Sequence, residues 1–161
     1  MQDERLYLRE LIDDDANRLF EIYSNSEAMK YRESKAMIVI EDAYEMISRA
    51  KKTKQTSYEY RFAIIEKKSD KLIGSIMYQP VANKAIIGYS IDEIFWNNGY
   101  GSAVVKIMVD YLKTKDFYYL EAWVKKENLA SCKVLEKNNF KQISQTIYPN
   151  NKLYQYKITN S

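Results

Sequence analysis

Trp96-Asn97-Asn98-Gly99-Tyr100-Gly101-Ser102 joins a strand-like run to an amphipathic helix, and its reading decides the fold. Before it, Ile86-Ile87-Gly88-Tyr89-Ser90-Ile91 is apolar and rich in β-branched residues, as a buried strand is. After it, Ala103/Val104, Ile107/Met108 and Tyr111/Leu112 recur one helical turn apart within residues 99–116. That stepping puts an apolar stripe on one side of a helix. Two glycines at the helix entry let the backbone come close to a ligand. The first-turn N–H groups have no helical partner, and the helix dipole favours negative charge there. The loop is built like a pyrophosphate cradle. A plain glycine turn would show the same pair of glycines, so the loop alone does not separate the two.

Working outward, residues 5–11 alternate as a first strand. Asp13-Asp14-Asp15 supplies negative charge at a helix start, and Ala16, Leu19, Phe20 and Tyr23 continue at helical spacing until Ser24-Asn25-Ser26. Residues 28–40 carry no assignable period. Ala43, Met46, Ile47 and Ala50 mark one face of a helix over 41–54. The period then changes to two: Tyr58, Tyr60, Phe62 and Ile64 alternate with Glu59, Arg61, Ala63 and Ile65. Residues 72–81 and 85–91 complete an antiparallel meander, with turns at Ser69-Asp70-Lys71 and Asn83-Lys84. Beyond the 99–116 helix lie an apolar strand at 118–124 and a short helix at 128–138. A hairpin of 141–147 and 152–158 folds around Pro149-Asn150-Asn151. The expected fold class is α+β (mixed α/β): a mostly antiparallel sheet of about seven strands with helices on both faces. The 85–91 strand, its helix and the 118–124 strand form a βαβ unit, so those two strands run parallel. No linker or repeat interrupts the chain, and residues 1–161 read as a single domain.

Composition excludes several function classes. The 161 residues are 46% hydrophobic and 29% charged, which suits a globular protein with a real core. No apolar run approaches the ~20 residues that span a bilayer, and the N-terminus does not resemble a secretory signal. No membrane association is expected. The net charge of +3 is too small to argue for nucleic acid. The single cysteine, Cys132, fits a reducing, cytoplasmic setting and packing in the core. With no histidine in the chain, imidazole mechanisms are absent and no metal site is expected. The fifteen tyrosines are spread along the chain, as strand and core packing would place them.

A second motif follows the 118–124 strand. Asn128-Leu129-Ala130-Ser131-Cys132-Lys133-Val134-Leu135-Glu136-Lys137-Asn138-Asn139-Phe140 resembles the Asn-x-x-Ser…Leu-Glu-Lys-x-Gly-Phe segment of the GNAT superfamily of acetyltransferases. The glycine loop resembles that superfamily's Arg/Gln-x-x-Gly-x-Gly/Ala pyrophosphate loop. Ile87-Gly88-Tyr89-Ser90-Ile91, followed by Phe95-Trp96-Asn97-Asn98-Gly99-Tyr100-Gly101, looks most like the branch that includes ribosomal-protein N-terminal acetyltransferases. Arg5-Leu6-Tyr7-Leu8-Arg9 looks like the first strand of that branch. Nearly the whole chain is covered, and two ordered motifs on the expected elements are more specific than either alone.

The resemblance implies a GNAT-like fold whose one parallel strand pair is splayed for CoA, parting near Ser90–Ile91. It implies acetyl-CoA as co-substrate and acetyl transfer to a primary amine, on a protein N-terminus or a small molecule, by direct attack. It assigns Asn98, Gly99, Tyr100, Gly101 and Ser102 to the CoA diphosphate, and Ser90 and Ile91 to the pantetheine arm. Asn128 either bonds the pantetheine or caps its helix. Ser131 is either the donor to the departing CoA sulfur or a first-turn helix hydroxyl; Tyr89 and Tyr100 are the alternative donors. Four departures stand out. Trp96 replaces Arg or Gln, and Asn139 replaces the glycine before Phe140, as a residue that tolerates left-handed geometry can. Leu135 stands where another branch has a tyrosine. Ile86 replaces a strand glutamate that is a frequent general-base candidate, so the base is unassigned. Asp92 and Glu93 are read as a solvated pair and Lys125-Lys126 as surface. A non-catalytic acyl-CoA-binding or sensing module is the alternative function, and a monomer or homodimer the expected assembly.

Overall fold

Leu6 and Leu8 enter the core on one face of the sheet, and Tyr7 leans on the core of the other, so β1 (Leu6–Glu10) follows its alternation. The computed structural model describes residues 1–32, 35–56, 58–143 and 148–159, with 53–56 as backbone. After β1 come α1 (Ala16–Tyr23), α2 (Ser26–Met29), α3 (Ile40–Thr56), β2 (Tyr60–Glu66), β3 (Lys71–Val81) and β4 (Lys84–Ile91). Then follow α4 (Tyr100–Leu112), β5 (Tyr119–Lys125), α5 (Leu129–Lys137), β6 (Lys141–Ile143) and β7 (Asn151–Lys157). The seven strands make one sheet in the order β1-β2-β3-β4-β5-β7-β6. Neighbours are antiparallel except β4 and β5, which run parallel and are joined by the α4 crossover. The expected mixed sheet with helices on both faces is therefore present.

Each face carries its own core. On one, Val104, Met108 and Leu112 of α4 and Leu135 of α5 pack with Ile73, Ile76, Ile87 and Leu120 of the sheet. On the other, Leu19, Ile22 and Tyr23 of α1 and Ala43 and Ile47 of α3 pack with Ala63, Ile65 and Leu72. Each fully buried Leu, Ile or Val side chain contributes about 1.5–3 kcal/mol. The α4 stripe is wider than the stepping of apolar pairs requires, because Val105 and Val109 are buried too.

Three local readings are corrected. The helix expected over 99–116 ends at Leu112, because Lys113-Thr114-Lys115-Asp116 offers no apolar side chain and the chain closes in tight turns such as Thr114 N to Tyr111 O, 3.0 Å. Asn25 does more than end a helix: its side chain accepts from the N–H groups of Glu27 and Ala28 and so starts α2. The β4–β5 ladder pairs only Lys84–Ile86 with Tyr119–Glu121. The strands thus part after Ile86, earlier than Ser90–Ile91. Beyond that point β4 remains bonded to β3 and β5 to β7, so each half of the sheet follows its own twist. Of the strand expected over 141–147, residues 141–143 form β6; 144–147 lie outside the described residues.

Gly74 holds β3 and β4 close at the end of the parted segment. A Cβ there would lie 2.0 Å from the Ser90 carbonyl oxygen, so only glycine fits.

Candidate functional site

The chain leaves β4 through a turn fastened on every side. Asp92 N–H donates to Ile73 O (2.8 Å), and the Trp96 indole N–H folds back to Ile91 O (2.7 Å). Asn97 takes φ +62° and Gly99 φ +77°, the second as N-cap of α4. Asn98 Nδ2 donates to Phe95 O and Trp96 O. From the start of β1, Arg5 donates to Asn98 O (2.7 Å) and Gly99 O (3.3 Å) and lays its guanidinium 5.0 Å above the Tyr100 ring. Tyr100 Oη donates to Glu66 of β2. That bond raises the Tyr100 phenol pKa above its ordinary value, and burial adds to the rise.

The turn therefore presents the N-terminal N–H groups of α4 from a fixed backbone. The first helical bond runs from Ala103 N–H to Gly99 O, so the donors of Tyr100, Gly101 and Ser102 precede it. No acidic residue lies in the first turn of α4, whereas α3 has Glu41 and Asp42 there. An anion site at this end is thus not filled by the chain's own carboxylate. Gly101 also lets α4 lie close to its neighbours, since a Cβ would meet Val134 Cγ2 at 3.4 Å and the Tyr89 ring at 3.6 Å. Asn138, closing α5, donates to Ser102 O and Oγ at 3.2 Å and ties the two helices together.

The gap between the parted strands has β4 residues from Ile87 on one side and β5 residues from Ala122 on the other. Ser90 and Ile91 stand at the end of the β4 side. Tyr89 Oη and Ser131 Oγ share a hydrogen bond of 2.9 Å that links β4 to the helix following β5. Burial pushes the Tyr89 phenol pKa up to about 12, although the Ser131 bond draws it back. Tyr89 therefore keeps its proton at neutral pH. Asn128 caps α5 by accepting from Ser131 N–H (3.2 Å), as the capping alternative requires. Where the ladder closes, Glu121 is buried and accepts from Lys84 Nζ (2.8 Å) and Gln155 Nε2 (3.0 Å).

The structure brings together Asn98 to Ser102 on one turn, and Tyr89, Asn128 and Ser131 at one end of α5. It sends Tyr100 Oη to Glu66, away from the Tyr89–Ser131 pair. Asp92 is not solvated as expected. It is 8% exposed and paired with Arg18, whose Nε also donates to Leu72 O; Glu93 accepts from Asn25 Nδ2. Lys125 is half-buried and donates to Arg32 O at 3.4 Å, while Lys126 is exposed. Cys132 is buried in the core as expected. Arg5 is the residue missed: its place in a basic first strand gave no sign of where its guanidinium would go. A cleft of about 390 Å³, lined in part by Tyr60, Arg61, Tyr78, Tyr111 and Lys115, lies toward the other end of α4.

Known proteins agree with this geometry. The family model of the acetyltransferase (GNAT) domain matches residues 5–141. YoaA of Bacillus subtilis, an uncharacterized N-acetyltransferase, is 32% identical over 161 residues, covering 96% of this chain and 91% of its own. An acetyltransferase (GNAT family) from Bacillus anthracis superposes with a TM-score of 0.85 at 22% identity, covering 97% of this chain and 96% of its own. Two further structures share the fold at 17% identity and a TM-score of 0.82. One is RimL, a ribosomal L7/L12 α-N-protein acetyltransferase, in complex with coenzyme A, with 97% of this chain and 96% of that one covered. The other is spermidine N-acetyltransferase from Vibrio cholerae with CoA and spermine, with 97% of each chain covered.

Proposed function

The chain belongs to the GNAT acetyltransferase family and is an N-acetyltransferase, and from that premise we propose that it moves the acetyl group of acetyl-CoA directly to a primary amine. The acceptor amine is the α-amine of a protein N-terminus or a small-molecule amine. RimL and the spermidine enzyme are named for acceptors of these two kinds. The observation that carries the reading is the parted β4–β5 gap, with an acid-free helix start at Gly99–Ser102 and a donor pair, Tyr89 and Ser131, across it.

Asn98, Gly99, Tyr100, Gly101 and Ser102 cradle the CoA diphosphate through backbone N–H groups at the α4 dipole. The β4 edge freed from β5 beyond Ile86, ending at Ser90 and Ile91, aligns the pantetheine arm, and Asn128 holds the start of α5 beside it. The amine nitrogen forms its bond to the thioester carbonyl carbon while a backbone N–H of the β4 edge steadies the oxyanion. The C–S bond then breaks with its electron pair on sulfur. Ser131 Oγ gives that sulfur a proton and takes one from Tyr89 Oη, and the Tyr89 phenol regains its proton from solvent. The amine loses its extra proton to solvent. An α-amine has a pKa of about 8, so enough of it is neutral without a glutamate at position 86.

A non-catalytic acyl-CoA-binding module would need the cradle but not the donor pair, and YoaA, one of the relatives matched, is named an N-acetyltransferase. We place the protein in the cytoplasm as a single 1–161 domain, monomeric or a homodimer, acting without metal, membrane or nucleic acid. The test is CoA release from acetyl-CoA with a panel of amines and N-terminal peptides. Sustained release with at least one acceptor, lowered in Ser131→Ala, supports the reading; tight acetyl-CoA binding with no turnover on any acceptor would favour the binding module.

A further inference from the structure

On the α1/α3 side of the sheet, β4 offers a strip of partly exposed residues beside the gap. Ser90 pairs with Ser75, Gly88 with Met77 and Ile86 with Gln79, and Ser75 in turn pairs with Ala63 of the α1/α3 core. Ser90, Gly88 and Ile86 are all partly exposed on this side. Three cations stand around the strip. Arg61 of β2 donates from Nη1 to Ser75 Oγ (2.9 Å), and the same oxygen is hydrogen-bonded to Tyr23 Oη. Arg32 sets its guanidinium 4.9 Å from the Tyr23 ring. Lys125, at the far end of β5, reaches Arg32 O. Glu59 is ion-paired to Arg61 Nε at 3.5 Å.

We propose that this strip is the acceptor site and that it takes an amine bearing a carboxylate, held by Arg61 and Arg32 with Lys125 at the rim. The proposal rests on the acetyl-transfer reading and names its substrate class. A guanidinium is a planar fork of N–H donors that matches a carboxylate. Arg61 reaches Ser75 and Arg32 lies over Tyr23, so the two guanidiniums flank the Tyr23–Ser75 pair; Glu59 offsets Arg61 from its Nε side, and an anion at the pair would meet both cations. Both cations also act on the Tyr23 phenol. Burial drives its phenol pKa up, yet the charges of Arg32 and Arg61 and the Ser75 bond outweigh burial, and the net shift is downward. A polyamine would bring more positive charge to the same place. Because Ser75 pairs directly with Ser90, a carboxylate on Arg61 leaves the amine of a small acceptor at the parted edge, where the thioester would lie.

The test compares matched acceptors: L-phenylalanine, L-phenylalaninamide and phenethylamine; L-glutamate and L-glutamine; 4-aminobutyrate and putrescine. CoA release is measured for each with the wild type, Arg61→Gln and Lys125→Gln, after thermal unfolding shows that the variants fold. The carboxylate-bearing member of a pair should have the higher kcat/KM. Arg61→Gln should remove about ten- to a hundredfold of that preference, mainly through KM, with acetyl-CoA affinity unchanged. Lys125→Gln, nearer the surface, should remove less. Calorimetric binding of the N-acetylated products to the CoA-loaded protein supplies a second readout. Arg61-dependent binding of N-acetylglutamate without turnover would sink the acetyl-transfer reading and leave the anion site. Turnover that favours putrescine or phenethylamine, or a preference untouched by both variants, overturns the anion site and leaves acetyl transfer standing.

Discussion

Tyr89 and Ser131 share a 2.9 Å hydrogen bond from opposite sides of the gap between β4 and β5. Neither hydroxyl is isolated, so the two should act as one proton source. Ser131→Ala and Tyr89→Phe are each expected to lower kcat by about 10- to 100-fold, at the low end of acid catalysis because a thiolate leaves readily. The double variant should lose little more than the worse single one. Acetyl-CoA binding should barely change. Steady-state kinetics with an accepted amine decide it: a wild-type rate in Ser131→Ala reduces that serine to a helix-start hydroxyl.

The same pair sets an expected pH profile. Burial pushes the Tyr89 phenol up to about 12 against an ordinary 10.0, so the folded protein keeps this proton throughout the working range. With an α-amine acceptor, kcat/KM should rise through about pH 8 as the amine becomes neutral, with no fall before about pH 10. Stability behaves differently. The unfolded chain releases the phenolic proton from pH 10.0 while the folded one holds it to about 12, so folding binds more protons and loses stability across that window. Burial raises Tyr78 and Tyr154 in the same sense. Thermal unfolding between pH 8 and 11 should show a falling Tm, with a shallower fall in Tyr89→Phe.

At the α4 start, Gly101→Glu is expected to weaken CoA binding about a hundredfold or more, because it puts a carboxylate where the diphosphate lies. Its bulk also presses on Val134 and Tyr89, so circular dichroism must first show a folded protein. Arg5→Gln is the gentler companion. It removes the donors to Asn98 O and Gly99 O and should weaken CoA binding about tenfold. Unchanged calorimetric affinity in both folded variants would place the diphosphate elsewhere.

How much of this was legible in the sequence depended on range. The α4 stripe, the three-strand meander and the parallel β4–β5 pair followed from local period alone. Asn139 was legible only through the family resemblance, as a replacement for the glycine before Phe140, and its φ of +66° is the left-handed geometry that replacement tolerates. What a single sequence does not carry is pairing over distance. Tyr23 meets Ser75 from another element, Arg5 crosses from the first strand to the glycine turn, and Asp92 is buried by an arginine of α1. The α2 turn escaped for a different reason: four residues give no period, and only the Asn25 cap marks it. The point where β4 and β5 part is a property of sheet twist, and no residue type encodes it.

Metal dependence follows from donor chemistry. The chain has no histidine and one cysteine, and that cysteine is buried in the core. Turnover should survive exhaustive treatment with a chelator. Loss of activity that added zinc or magnesium restores would contradict this.

Gly74 and Gly88 sit on neighbouring strands and should respond unequally to the same change. At Gly74 a Cβ would stand 2.0 Å from Ser90 O, a backbone atom that cannot move without opening the β3–β4 ladder. At Gly88 it would meet Met77 Sδ at 3.4 Å, the flexible part of a side chain that can turn aside. Gly74→Ala is therefore expected to cost about 1–3 kcal/mol, as overpacking does, and to lower Tm by several degrees. Gly88→Ala should stay within about 0.5 kcal/mol of wild type. The displaced Ser90–Ile91 segment is also the edge assigned to pantetheine. Gly74→Ala should thus raise the KM for acetyl-CoA in the fraction that folds, whereas Gly88→Ala leaves it alone. Differential scanning calorimetry and acetyl-CoA titration on the two variants check both halves. Equal stability in the two would show that β3 can shift away from Ser90 at little cost, and that the close approach at Gly74 is not what fixes the edge.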